Sequence, residues 1–281
     1  MIFLYFAVAI LGSATTSIWS RHILKNASAH SFAMFTNVIS ALFFIPIALS
    51  NISFTNNGRA WLALIIASSL WAAAALMSAI SVKETHASIR APLNQLKLLW
   101  SLLFSALILK EVVGLPHLIG GFIIFIGLSI LLYHPEYKFG SLKDSGVRWT
   151  FISAVMSAAV AIADKYTLNF FSVELYGFIV FMIPSIILFF FTPNQGEDMR
   201  HLWKNYKKDI VLFSALMVIT YYAVLKIYSL IPVSIAYPVL QLSTLVTVIG
   251  GIFILKEKEH LWQKMIATTI VIIGAIILKL S

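Results

Sequence analysis

Four polar residues recur at helical spacing inside one strongly apolar run of this chain. Arg90, Asn94, Lys97 and Ser101 are 4, 3 and 4 positions apart. At about 100° per residue, their side chains fall within an arc of about 60° on one face of a helix. Guanidinium and ammonium groups bind carboxylates and phosphates through charge-assisted hydrogen bonds. The spacing therefore predicts a polar stripe that faces a central cavity and binds an anionic or zwitterionic ligand.

A structural role is the alternative for the two cations of this stripe. An ionisable group near the middle of a membrane helix costs from about 2.5 kcal/mol upward unless it faces water or a partner. Lys97 could form an ion pair with Asp164, and Arg90 could extend its charged end to the nearby membrane surface. Because charges within the membrane are functional-site candidates by default, we place both cations in the substrate site.

Two glutamines and two aromatic residues complete the predicted substrate site. Gln95 and Gln241 each follow a proline by three residues. They could either satisfy backbone groups that the proline frees or line the cavity. Trp71 and Tyr222 lie away from the ends of their helices, where an aromatic ring could form a cavity wall or pack in the core. Both interpretations stay open for each pair.

The composition excludes a water-soluble protein and several kinds of chemistry. Apolar residues make up 60% of the chain and charged residues 11%, against roughly 45–50% and about 25% in soluble domains. The net charge of +9 comes from Lys and Arg residues scattered among helix ends, so we expect no nucleic-acid partner. The chain has no cysteine and its seven histidines form no metal-like pair. We therefore expect no metal, no cofactor and no enzymatic activity.

Ten apolar runs are long enough for membrane helices, which need about 20 mainly apolar residues. The continuous runs exclude the short alternating strands of a β-barrel, so the predicted fold class is an all-α membrane protein. Two longer polar connections separate some of the runs, at 134–148 and 192–209. The ten predicted helices are near 2–21, 30–50, 60–81, 86–109, 115–133, 149–170, 174–192, 209–230, 233–255 and 261–279.

An internal repeat relates the two halves of the chain. The segment 88–96, SIRAPLNQL, lies 146 positions before 234–242, SIAYPVLQL, and matches it at Ser, Ile, Pro, Gln and Leu. At the same offset, Leu-Lys-Glu at 109–111 aligns with Leu-Lys-Glu at 255–257. Two matches in register, at corresponding places in the helix order, indicate a duplication.

Five helices in each half make the two copies inverted with respect to the membrane. An odd number of crossings brings the second copy into the bilayer from the opposite side. Inverted repeats recur in secondary transporters, because two equivalent halves can open one central site to either side. The predicted organisation is a first repeat at 1–133, a connecting loop at 134–148 and a second repeat at 149–281.

At these residues the sequence resembles the drug/metabolite transporter superfamily and, within it, the EamA-type ten-helix transporters. The resemblance spans the chain and rests on three duplicated features. These are a polar patch near the end of each half's first helix, a proline in each fourth helix and the Leu-x-Glu ends at 109–111 and 255–257. Helix 1 departs from the usual Trp-Gly pair, with Ile-Trp-Ser-Arg at 18–21. The resemblance implies a central cavity and alternating access, and it leaves the substrate open.

The predicted function is secondary transport, as an exporter or exchanger, of a small polar metabolite such as an amino acid. A flippase for lipid-linked headgroups is one alternative, with a cavity open sideways to lipid. An integral-membrane transferase is another, although no grouping of Ser, His and Asp suggests a nucleophile with its base. The expected partners are a small-molecule substrate and the lipid bilayer. We expect a multi-pass monomer or homodimer in the bacterial inner membrane.

The remaining charged residues are predicted to be structural. Glu111 and Glu257 follow helices 4 and 9, where each is expected to pair with the lysine before it. Asp164, Lys165 and Lys226 are expected to lie close to a membrane interface and to be anchored there. Because no carboxylate has a clear midplane position, proton coupling through a carboxylate is not expected.

The family resemblance and the distribution of positive charge imply opposite orientations in the membrane. The resemblance implies that both termini lie in the cytoplasm. Lys and Arg concentrate in the odd-numbered connections, which by the positive-inside rule would place those connections in the cytoplasm and both termini outside. Ten helices put both termini on one side of the membrane in either case.

Overall fold

The structure is a computed structural model that describes residues 1–53, 55–85, 90, 93–132, 144–192, 195–247 and 261–279. Within these ranges the chain forms helices and no strand. In chain order they are α1 (Ile2–Leu24), α2 (Ala29–Ala48), α3 (Gly58–Glu84), α4 (Leu96–Leu109), α5 (Leu115–Leu132), α6 (Ser145–Thr167), α7 (Val173–Phe191), α8 (Gln195–Leu230), α9 (Val233–Thr247) and α10 (Leu261–Lys279). The last turn of α4, Ser105–Leu109, widens into a π-helix.

Hydropathy and length identify the membrane-spanning elements among the described residues. Six helices, α1, α2, α3, α6, α7 and α8, are long and apolar enough to cross a membrane. The other four are shorter but also apolar. Each of the ten predicted helices thus has a counterpart, and the predicted all-α fold class is confirmed.

The two halves pack through contacts that repeat when the halves are exchanged. α2 packs on α7 and α5 packs on α10, so that each helix meets its own counterpart. α1 contacts α8 and α3 contacts α6, which pairs the first helix of one half with the third helix of the other in both directions. A pseudo-two-fold axis between inverted repeats requires this reciprocity.

Small residues allow these counterpart helices to approach closely. A Cβ atom added to Gly120 would lie 3.0 Å from the carbonyl oxygen of Gly274, and one added to Gly274 would lie 2.8 Å from that of Gly120. Between α2 and α7, a Cβ atom on Gly177 would overlap the buried ring of Phe44. Without a hydrophobic driving force between helices in lipid, such close contact is a main source of helix association.

One element differs from its prediction. The region 192–209 was predicted as a polar connection, but α8 already begins at Gln195 and bends at Tyr206, where φ is −129° and ψ is 19°. Before the bend, Leu202 is buried against the bundle while Lys204 is exposed. Hydropathy detects helices that insert into lipid. The segment before Tyr206 is amphipathic, so its mean hydropathy is too low for it to be predicted as part of a membrane helix.

Candidate substrate cavity

A cavity of about 380 Å³ lies among α1, α2, α3, α6, α8 and the residues that precede α4. Its lining extends from Ser13 to Leu24 on α1, and from Trp71 to Val82 on α3. These stretches run from the middle of each helix to the end where α1 and α3 finish. The cavity therefore reaches from the interior of the bundle towards the end that carries the α1–α2 connection.

Hydroxyl groups make one wall of the cavity polar. Ser13, Thr16, Ser17 and Ser20 all line it from α1, and their spacing of 3, 1 and 3 residues puts them on one helix face. The hydroxyl of Thr16 donates to the carbonyl oxygen of Gly12 at 2.9 Å. With its hydrogen used within the helix, such a hydroxyl presents its remaining lone pairs as acceptors. None of these hydroxyls was among the predicted site residues, although their spacing was readable.

Arg90 supplies positive charge to the cavity. It lines the cavity together with Asn94 and is only 9% exposed. Among the described residues, Lys226 and Glu174 form the one ion pair, so no described carboxylate neutralises Arg90. Arg21 lies within electrostatic range and adds a second positive charge nearby. A buried guanidinium without an acidic partner is suited to bind an anionic group.

Trp71 closes the inner end of the cavity. Its indole Nε1 donates to Oδ1 of Asn37 at 2.9 Å, and both residues line the cavity. The Asn37 amide in turn donates to the carbonyl oxygen of Ala33 at 2.7 Å, which fixes the pair to α2. Behind the indole, the ring of Tyr221 lies 4.5 Å away, centroid to centroid, and that of Phe181 5.6 Å away.

Of the eight predicted site residues, Arg90, Asn94 and Trp71 line the cavity. Lys97 and Ser101 do not, and the Ser101 hydroxyl is buried and donates to the carbonyl oxygen of Leu98 at 2.7 Å. The stripe along 90–101 borders the cavity only before Gln95, the residue that precedes α4.

The glutamines and Tyr222 also lie outside the cavity lining. Gln95 Nε2 donates to Oγ1 of Thr244 at 3.3 Å and so links the start of α4 to α9. Gln241 is buried at the equivalent turn within α9. The Tyr222 hydroxyl donates to Oε1 of Glu174 at 3.0 Å. A substrate-binding role for these residues, and for Lys97 and Ser101, stays a prediction.

The structure corrects the expected partner of Asp164. This residue was expected near a membrane interface, with Lys97 as a possible ion-pair partner. It lies three residues before the end of α6 and is only 1% exposed. Its Oδ1 accepts from the hydroxyl of Tyr176 at 2.6 Å and its Oδ2 from that of Tyr221 at 2.8 Å. Lys97 forms no ion pair with it. Two tyrosines from α7 and α8 take the place of the expected lysine.

Glu111 corrects a second expectation. Instead of pairing with Lys110, its carboxylate accepts from the backbone N–H groups of Val233 and Ser234, both at 2.9 Å. These groups lie at the start of α9, where backbone donors lack partners within the helix. A carboxylate is favoured at this positive end of the helix dipole. The equivalent Glu257 lies outside the described residues.

The two remaining lysines have local partners. Lys165 Nζ donates to the carbonyl oxygens of Tyr228 at 2.5 Å and Ile231 at 3.2 Å, at the carboxyl end of α8. Lys226 Nζ lies 2.7 Å from Oε1 of Glu174. Both lysines therefore hold helix ends together, in agreement with their predicted structural role.

A helical membrane protein with reciprocal packing of two halves around a polar cavity has the architecture of an inverted-repeat transporter. The EamA-like transporter family matches residues 1–133 and 144–280. The chain therefore belongs to the EamA-like transporter family. The match confirms the predicted resemblance to drug/metabolite transporters and the two inverted five-helix repeats. It also supports the interpretation of the chain as a multi-pass membrane protein without enzymatic activity.

The fold agrees with a solved structure, titled "Crystal structure of protein", that is 16% identical to this chain. The TM-score is 0.72, and the similarity covers 99% of this chain and 97% of the other. No protein among those with curated descriptions matches the chain. The exact repeat boundaries, a bacterial inner-membrane location and the oligomeric state stay predictions.

Proposed function

We propose that the protein carries a small zwitterionic or anionic metabolite, such as an amino acid, across the membrane by alternating access, as an exporter or exchanger. The observation that carries the proposal is Arg90, a buried cation in the central cavity with no carboxylate partner among the described residues. A guanidinium presents paired donors that match a carboxylate or a phosphate. Asn94, on the same wall, adds an amide to this end of the cavity.

The hydroxyl groups of α1 and α6 are suited to an ammonium group. Thr16 and Ser20 on α1 and Ser157 on α6 line the cavity, and each donates its hydroxyl hydrogen to a carbonyl oxygen of its own helix. Their oxygens are thus left as acceptors, the complement of an ammonium donor. Arg90 and these hydroxyls together favour a ligand with one anionic and one cationic end.

The size and shape of the cavity fit this class of ligand. Its volume of about 380 Å³ lies within the roughly 300–1,000 Å³ of small-molecule sites. Trp71 offers an apolar surface at the inner end, where the organic part of a metabolite can pack. The cavity reaches one end of the bundle, while the rings of Tyr221 and Phe181 behind Trp71 fill the path to the other end. In an inverted repeat, the two halves can exchange their conformations, which opens the site to the other side of the membrane.

Counterflow in proteoliposomes tests the proposal. Proteoliposomes that contain the full chain are preloaded with unlabelled L-phenylalanine, L-glutamate or glycerol 3-phosphate. Uptake of the same solute in labelled form is then measured for each. We expect chemically unchanged uptake of at least one solute. Arg90→Ala should reduce that uptake about 10- to 100-fold, since a hydrogen bond to a charged group contributes about 1.5–3 kcal/mol.

Arg59→Ala is the matched control, because Arg59 is exposed at the start of α3 and lies outside the cavity. Wild-type uptake in Arg90→Ala would overturn the assignment of Arg90. A folded protein that carries none of the three solutes would contradict transport of a free metabolite and favour the flippase alternative. Chemical conversion of the solute would favour the transferase.

A further inference from the structure

Asp164 lies on the continuation of the cavity. Ser157, Val160 and Asp164 are spaced 3 and 4 residues apart on α6 and share one helix face. The first two line the cavity, and Asp164 lies about one turn beyond them. On α8, Met217 lines the cavity and Tyr221 follows one turn later. Asp164 and Tyr221 therefore form the next layer beyond the inner end of the cavity.

This layer is closed to solvent. Asp164 is 1% exposed, Tyr176 is 0% exposed and Tyr221 is 7% exposed. The two tyrosine hydroxyls approach opposite oxygens of the Asp164 carboxyl group, at 2.6 Å and 2.8 Å. Tyr221 also contacts Trp71, which forms the inner end of the cavity. One chain of contacts thus connects the ligand cavity with a buried carboxyl group.

The groups that face Asp164 supply hydrogen bonds but no positive charge. Tyr176 of α7 and Tyr221 of α8 donate hydrogen bonds to it, and Tyr228 of α8 and Tyr237 of α9 lie within electrostatic range. Lys97 of α4 makes no ion pair with it, nor does any other cation in the described part of the chain. A negative carboxylate in a dry interior is expensive unless a cation neutralises it. Hydrogen bonds from two neutral hydroxyls compensate only part of that cost.

We propose that Asp164 is a proton-binding site that couples transport to a proton gradient. Its carboxyl group holds a proton while the layer is closed and releases it to water when the layer opens. The inference rests on the alternating-access path of the proposed function, because opening that path brings water to Asp164. No cluster of three or more acidic or histidine side chains occurs among the described residues, so a proton suits the site better than a metal ion, which needs several oxygen ligands. This replaces the expectation that no carboxylate takes part in coupling.

Infrared difference spectroscopy tests the site without any transported solute. The full chain is reconstituted in lipid, and spectra are recorded between acidic and alkaline pH in H₂O and D₂O, with the proton itself as the probe. We expect a C=O stretching band of a protonated carboxylic acid that shifts in D₂O and is absent in Asp164→Asn. Glu197→Gln is the control, because Glu197 is exposed on α8. Identical spectra for the wild type and Asp164→Asn would overturn the proposal.

A second variant keeps the carboxyl group in place. Tyr221→Phe removes one of its two hydrogen bonds, so the band should persist at a shifted frequency. An unshifted band would come from another carboxyl group and would overturn the assignment even if Asp164→Asn failed to fold.

Coupling is measured in proteoliposomes with whichever of the three test solutes the wild type carries. Accumulation of that solute should depend on an imposed pH gradient in the wild type, and Asp164→Asn should remove the dependence. A dependence equal to that of the wild type would overturn coupling through Asp164. If no solute is carried, the proposed function fails while the spectra still decide whether Asp164 binds a proton.

Discussion

The carboxylate of Glu111 accepts a hydrogen bond of 2.9 Å from the backbone N–H of Ser234, and a second of the same length from that of Val233. This contact joins the carboxyl end of α4 to the amino end of α9. The two helices occupy the same position in the two inverted repeats. Glu111 therefore caps a helix of the other half of the chain and ties the halves together.

Glu111→Ala should lower the free energy of unfolding by about 1–3 kcal/mol, because two backbone donors at the start of α9 lose their acceptor. Thermal unfolding of the purified protein in detergent measures the change. Lys110→Ala is the control, since Lys110 is exposed and forms no ion pair within the described residues. An equal loss in Lys110→Ala would favour the ion pair expected from the sequence over the helix cap.

Gly177→Ala should destabilise the protein by about 1–3 kcal/mol, the usual cost of overpacking a core. The added methyl group would overlap the Phe44 ring, and Phe44 is fully buried. Gly58→Ala is the matched control, because nothing lies within 4 Å of a Cβ atom there. Replacing Phe44 by Leu in the Gly177→Ala background should recover part of the loss. Equal melting temperatures for the two glycine variants would contradict the close approach of α2 and α7.

A double-mutant cycle should show no ion pair between Lys97 and Asp164. We expect the effects of Lys97→Ala and Asp164→Asn on unfolding to add within about 0.5 kcal/mol, as they do for independent sites. Asp164→Asn and Tyr221→Phe should instead couple by about 0.5–3 kcal/mol, as contacting residues do. A stability loss in Lys97→Ala that Asp164→Asn rescues would restore the ion-pair interpretation.

Single cysteines introduced at the two ends of the bundle should react with a membrane-impermeant reagent from opposite sides of the membrane. The chain has no natural cysteine. Asn26 and Gly196 are exposed at the end of the bundle where Asn26 meets Tyr206, and Ser53 and Ser229 are exposed at the other end. Asn26→Cys and Gly196→Cys should react with an impermeant maleimide from one side, and Ser53→Cys and Ser229→Cys from the other.

The same labelling shows which face is cytoplasmic. Labelling of Asn26→Cys and Ser53→Cys from one side would contradict α2 as a membrane-spanning helix. Reaction of the Asn26 and Gly196 variants from the cytoplasm would follow the positive-inside rule. Reaction from outside would instead place both termini in the cytoplasm, as the family resemblance implies.

Part of the candidate site was predictable because it depends on local spacing. Arg90, Asn94 and Trp71 were chosen from their types and positions within apolar runs, and all three line the cavity. Lys97 and Ser101 were chosen by extending one helix face across Gln95. Which part of that face borders the cavity depends on the packing of neighbouring helices and cannot be read from spacing alone. The α1 hydroxyls had a readable spacing too, but Ser and Thr in membrane helices commonly bond to their own backbone.

The sequence by itself determined the ten helices, their division into two inverted halves and the family, because runs of apolar residues and an internal repeat are properties of the linear chain. Only the tertiary structure decided the partners of the charged residues. Asp164 meets tyrosines that follow it by 12 and 57 positions, and Glu111 meets backbone groups 122 and 123 positions away. Opposite charge suggested Lys97 and Lys110 as partners. In the folded bundle, the packing of neighbouring helices determines which donors reach a carboxylate, and those donors here are neutral hydroxyl and amide groups.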